Sequence, residues 1–141
     1  MSDSRIYFIN IVNWDESLSV GNDKIDAQHK WLICLINKLH DHMGKDSEGL
    51  MNKSIIDLYN YVITHFEDED RMMEKSKYSN MAEHKKEHES FIMTLNKLFS
   101  RFNRKEEHIT ESIVAFLVDW FIDHISNTDK KFGEYLKNLQ T

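Results

Sequence analysis

From about Lys24 onward, apolar residues recur along the chain in steps of three and four, the spacing that lines one face of an α-helix with core-facing side chains. The first stripe is Ile25, His29, Leu32, Ile36, Leu39 and Met43, and the polar stretch from Gly44 to Gly49 ends it. A second helix is expected from about Glu48 to Glu74, with Ile55, Leu58, Val62, His65, Glu69 and Met72 on its stripe. After a short polar connection, Ser76 to Asn80, in which Ser79 or Asn80 could cap the next helix, comes Met81, His84, His88, Phe91, Leu95, Leu98 and Phe102. Thr110 is a plausible cap for a fourth helix carrying Ile113, Leu117, Trp120 and His124. Past His124 the rhythm slips by one residue and resumes as Ile125, Asp129, Phe132, Leu136 and Leu139. Five positions separate His124 from Asp129, which on a regular helix leaves them about 140° apart. A one-residue insertion of the π-bulge type would return both to one face, and the slip predicts such a feature.

Four long helices with short connections predict an all-α fold, an up-down-up-down antiparallel four-helix bundle. His29 and His65 are 36 residues apart, and so are His88 and His124. At about 1.5 Å of rise per residue, each interval is long enough to climb one helix and return to the same height. The 141 residues form one domain, with residues 1–20 as an extended N-terminal arm, pinned by Ile6, Phe8, Ile11 and Trp14, and residues 21–141 as the bundle. The absence of proline and the presence of only four glycines suit that reading.

A net charge of −6 argues against nucleic acid as a main partner. The single cysteine, Cys34, has no intrachain partner and no C-x-x-C context, and is expected to be a packed or lightly exposed thiol. The N-terminal residues do not form a signal peptide, and no apolar run approaches membrane-spanning length, so the expected setting is cytoplasmic with no membrane association.

The stripes carry an anomaly. Five of the eight histidines, with one glutamate and one aspartate, occupy positions that belong to a hydrophobic core: His29, His65, Glu69, His84, His88, His124 and Asp129. A lone core histidine is usually hydrogen-bonded to a neighbour. Five at one level, joined by a carboxylate that is almost never fully buried unless paired, call for a cation. Imidazole with carboxylate suits iron or zinc, and seven protein ligands are too many for one tetrahedral zinc and about right for two metals with bridging carboxylates. By contrast His40, His42 and His108 lack partners at the right spacing and read as surface residues. Met72, Met73, Met81 and Met93 read as core filler.

In these residues the chain resembles the hemerythrin family, in its single-domain bacterial form. The matching pieces are Trp14-Asp15-Glu16-Ser17, Ile25-Asp26-Ala27-Gln28-His29-Lys30, His65-Phe66-x-x-Glu69, His84-x-x-x-His88 and His124-Ile125-x-x-x-Asp129-Lys130. Leu18 and Asn22 depart from the family pattern, which often has an aromatic and an apolar residue there. The resemblance implies two iron ions with an oxo or hydroxo bridge. One iron would be held by His84, His88 and His124, the other by His29 and His65, with Glu69 and Asp129 bridging both. The second iron would then have one open position, where dioxygen binds reversibly, with nitric oxide as an alternative ligand. Leu32, Phe66, Trp120, Phe121 and Ile125 would form the dry wall of the oxygen pocket.

The resemblance thus implies a non-enzymatic dioxygen-binding protein for storage, delivery or sensing, acting as a monomer or weak homo-oligomer. A ferritin-like di-iron oxidoreductase would be richer in carboxylate and would use Glu-x-x-His motifs, of which the chain has none. A sensor module would need a separate output partner.

Overall fold

The computed structural model describes residues 11–43 and 48–139, and within them every regular element is helical. Helix α1 spans Asp23–Met43, α2 Glu48–Lys75, α3 Met81–Asn103 and α4 Ile109–Asp123. A π-helical segment, His124–Asp129, then leads without a break into α5, Lys130–Leu139. The rod formed by α4, the π segment and α5 is the fourth member of an antiparallel bundle in which α1 packs on α2 and α4, and α3 on α2 and α4. Along its axis runs one core, including Ile25, Leu32, Ile36 and Leu39 from α1, Leu58 and Val62 from α2, Phe91 and Leu95 from α3, and Ile113, Leu117 and Phe132 from the rod. No helix among the described residues is long and apolar enough to cross a membrane.

Local chemistry explains where the helices begin and end. Asn22, where the family pattern favours an apolar residue, accepts from the Ile25 N–H at 3.0 Å and so caps α1. At the end of α2, Lys77 takes a left-handed conformation (φ 58°), and the Tyr78 and Lys77 N–H groups bond back to the Met73 and Glu74 carbonyls at 3.0 and 3.2 Å. That is the Schellman closure, completed by burial of Met73 and Tyr78. The same pattern closes α3, with Lys105 left-handed. Asn80 precedes α3 as expected but makes no side-chain cap bond. Helix α4 begins one residue before Thr110, after a left-handed His108 whose ring bonds Glu111.

The arm needs a correction. Ile6 and Phe8 lie outside the described residues, Ile11 is exposed, and Trp14 is only half-buried, beneath the Lys30 ammonium at 4.9 Å. The buried anchors are instead Val12, Leu18 and Val20. Val12 is clamped by Asn37, which accepts from its N–H at 3.0 Å and donates to its carbonyl at 2.8 Å. Asp26 accepts from the Ser19 hydroxyl at 2.6 Å and the Val20 N–H at 2.9 Å. Val20 then crosses Gly133 so closely that any Cβ there would collide with its carbonyl. This strap closes the end of the bundle beside the π segment, next to the polar level of the core.

Two surface expectations also change. Met93 is not core filler: it is 61% exposed. His42 is half-buried and shares a 2.6 Å hydrogen bond with the buried hydroxyl of Ser54. Cys34 is exposed.

Candidate metal centre

All seven polar residues on the core stripes converge at one level, and all are buried. α1 brings His29, α2 His65 and Glu69, α3 His84 and His88, and the π segment His124 and Asp129 at its two ends. The π winding is what makes the last pair usable, since Asp129 Oδ1 stands 3.0 Å from His124 Nε2. Two overlapping ligand groups result. One holds Glu69, His84, His88, His124 and Asp129, the other His29, His65, Glu69 and Asp129, and within each the ligating atoms lie within 4.8 Å of one another.

The spacing of these atoms is that of ligands sharing a third partner. His29 Nε2 lies 2.9 Å from Asp129 Oδ2, His84 Nε2 3.0 Å from Asp129 Oδ1, His88 Nε2 3.2 Å from Glu69 Oε1, and His65 Nε2 3.3 Å from Glu69 Oε2. Adjacent ligands about 2.1 Å from one octahedral ion would sit about 3.0 Å apart. Yet among these groups only His84 Nε2, 2.5 Å from Glu69 Oε1, makes a well-formed hydrogen bond. Nine buried side-chain atoms of the described residues lack such a partner, and every one belongs to these seven residues. At about 1–3 kcal/mol each, nine such atoms would rival a domain's net stability of roughly 5–15 kcal/mol. A pair of cations removes that cost for the seven inward-facing atoms, all but His29 Nδ1 and His84 Nδ1, so the donor set fits a two-metal centre.

The electrostatics of the metal-free centre point the same way. Burial alone would lower the His84 and His124 pKa values, but the Asp129 and Glu69 carboxylates outweigh it and push them up to about 9 and about 10. Burial would raise Asp129, but the facing His124, His29 and His84 rings hold it well below its ordinary range. His65, where burial dominates, is lowered to about 4.

Outside the ligands lies a ring of residues that the stripes did not reveal. Gln28 Oε1 is 2.6 Å from His65 Nδ1, and its Nε2 donates to Asp68 at 3.0 Å. Asp70 Oδ1 is 3.2 Å from His88 Nδ1, and Glu87 Oε1 is 2.9 Å from His124 Nδ1 and 2.8 Å from the Thr128 hydroxyl. Each acceptor fixes its ring so that Nε2 faces inward, the usual arrangement behind a metal-bound imidazole. One signal was available in the sequence: Gln28, Glu87 and Asp70 adjoin His29, His88 and Glu69 respectively, each on the helix of one ligand but serving a ring on another. His84 Nδ1 has no protein acceptor, and His84 lines a polar cavity of about 60 Å³ with Glu83, Glu87 and Thr128, large enough for one or two waters.

The five residues expected to form an apolar wall surround the centre to different degrees. Phe66 stacks on His88 with centroids 3.8 Å apart and planes 7° apart. Trp120 stacks on His124 at 4.2 Å and 15°, although it is only half-buried. Leu32, Phe121 and Ile125 are buried in the same core.

Comparison with known proteins agrees with this geometry. The profile of the hemerythrin HHE cation binding domain matches residues 20–136. A bacteriohemerythrin from Methylococcus capsulatus is 32% identical over 111 residues, covering 79% of this chain and 85% of that protein. One from Pseudomonas aeruginosa is 30% identical over 125 residues, covering 89% and 81%. A hemerythrin-like protein from Naegleria gruberi is 28% identical over 120 residues, covering 85% and 89%. Among solved structures, wild-type hemerythrin superimposes with a TM-score of 0.83 at 29% identity, covering 89% of this chain and 98% of the other.

Proposed function

Because the chain belongs to the hemerythrin family, we propose that it binds dioxygen reversibly at a pair of non-heme iron ions, as a non-enzymatic protein for oxygen storage, delivery or sensing. What carries the reading is the inequality of the two ligand groups: three histidines in one and two in the other, with Glu69 and Asp129 in both. On this reading His84, His88 and His124 would hold one ion and His29 and His65 the other, with Glu69 and Asp129 available to both. The two-histidine side, with one protein ligand fewer, would keep a place open to a small ligand.

When bound, the iron pair supplies the two electrons for reversible capture of dioxygen at that open place. The protein's own residues do the rest. Gln28, Asp70 and Glu87 hold His65, His88 and His124 by their outer nitrogens, which keeps each inner nitrogen aimed at a metal. Leu32, Phe66, Trp120, Phe121 and Ile125 exclude water, and with it the protons that would favour irreversible oxidation. Five imidazoles against two carboxylates favour binding over oxygen activation, which is supported by carboxylate-rich sites.

The test is anaerobic loading with ferrous iron, iron analysis, and an optical titration with oxygen followed by evacuation. The reading expects two irons per chain and an oxygen-dependent absorption band that disappears on evacuation through repeated cycles. A single iron per chain, or oxidation that evacuation never reverses, would overturn it.

A further inference from the structure

Between α2 and α3 lies an open groove of about 490 Å³, inside the roughly 300–1,000 Å³ range of small-molecule sites. Its apolar surface comes from Ile63, Phe66, Ile92 and Met93, and His88 forms part of the floor. Met93 is 61% exposed, with a flexible thioether that can mould itself to a flat ring. The rim is acidic: Glu67, Asp70 and Glu89 stand against a single lysine, Lys85. Asp70 is committed to His88, but no ion-pair partner faces Glu67 or Glu89 among the described residues.

We propose that this groove binds a small, flat aromatic cation, with its rings against the four apolar side chains and its charge toward Glu67, Asp70 and Glu89. Apolar walls alone would accept any flat ring. The acidic rim selects the cation, since an anion there would meet three carboxylates, whereas a ring held close to Phe66 and Met93 gains from both burial and charge. The groove is bounded by two helices and suits a small molecule better than a standard protein interface, which takes about 800 Å² from each partner. The groove of about 400 Å³ between α1 and α2, with Trp31 and Tyr61, lacks this selectivity because Lys38 balances Asp57.

A molecule seated here would cover His88, at 4% exposure the least buried of the seven core polar residues. It would thereby shield that ring from solvent. The site requires neither iron nor oxygen, so it can be tested apart from the function proposed above.

The experiment titrates metal-free and zinc-loaded protein with methylene blue, a flat tricyclic cation, and with resorufin, a flat tricyclic anion. Binding is followed by absorbance and by the methionine methyl resonances. Saturable one-to-one binding of methylene blue is expected, with the Met93 methyl displaced by the dye's ring current and resorufin binding at least about tenfold more weakly. The double variant Glu67→Lys/Glu89→Lys, both exposed positions, should weaken the cation by about tenfold or more, while Trp31→Ala leaves it unchanged. Failure of methylene blue to saturate, equal affinity for the two dyes, or an unmoved Met93 methyl overturns the proposal. So does a loss in Trp31→Ala equal to that in the double variant. Sedimentation as a dimer that Met93→Ala dissociates would assign the face to a second copy, and would overturn it as well.

Discussion

Deleting Asn127 should leave the metal centre working, whereas inserting one alanine after Asn127 should destroy it. The contrast follows from the π segment, which places one extra residue between His124 and Asp129. Asn127 is exposed; its side-chain amide donates only locally, to the Asp123 carbonyl and carboxylate at 3.0 Å, and its own carbonyl accepts from the Lys130 N–H. With it removed, His124 and the aspartate are four apart on a regular helix, about 40° from alignment and on one face. An added alanine instead turns everything beyond it by about 100°. For a carboxylate about 5 Å from the helix axis, that rotation is a displacement of about 8 Å. Asp129 now sits 2.9 Å from His29 and 3.0 Å from both His84 and His124, so no side-chain adjustment could recover it. Metal titration with circular dichroism distinguishes the two. The deletion should keep two ions per chain with affinity within about tenfold of the parent. The insertion should lose more than the roughly 10–100-fold that removing an outer partner costs, and its stoichiometry should fall below two. If the deletion lost metal as thoroughly as the insertion, the π segment would not be the one-residue spacer described here.

Removing the acceptor behind one imidazole, by Gln28→Ala for His65 or Glu87→Ala for His124, should weaken metal binding by about 10–100-fold and leave the helical content unchanged; equal affinity in chelator competition would contradict the positioning role. The metal-free protein should show its own pH dependence. His84 and His124, raised to about 9 and about 10, stabilise the fold fully below their unfolded value of 6.5 and lose that contribution as pH rises through their folded values. His65, lowered to about 4, contributes above 6.5 and loses it as pH falls toward 4. Melting of chelated protein should therefore peak between about pH 6.5 and 9, and metal binding at pH 7 should release close to two protons in calorimetry across buffers; a flat profile with no proton release would refute both. Gly133→Ala drives a Cβ into the Val20 carbonyl and should cost about 1–3 kcal/mol, at about 2–4 °C of melting temperature per kcal/mol; an unchanged melt would mean the strap is not held as described.

The helix stripes and the seven polar residues were legible because each depends on one helix's own periodicity. The slip after His124 was legible for the same reason, since a broken repeat is still a statement about one helix. Contacts between helices were not. Gln28 serves His65 and Glu87 serves His124 only once the rotation of one helix against the next is known. Met93 lies two positions from both Phe91 and Leu95, about 200° around the helix, and so falls on the outer face and not in the core. His42 and Ser54 meet where two helix ends converge, and nothing in either segment announces the other. Helix α4 is capped at His108, two residues before Thr110, because His108 accepts a left-handed backbone that nothing in the segment announces. Asn22 shows the opposite error, a departure from the family pattern that proves to be a helix cap.

Anomalous diffraction at the iron absorption edge, from crystals of the iron-loaded protein, would test the central claim most directly. Two peaks are predicted, one enclosed by His84, His88 and His124 and the other by His29 and His65, with Glu69 and Asp129 between them. One peak, or iron bound anywhere other than among these seven side chains, would contradict the account.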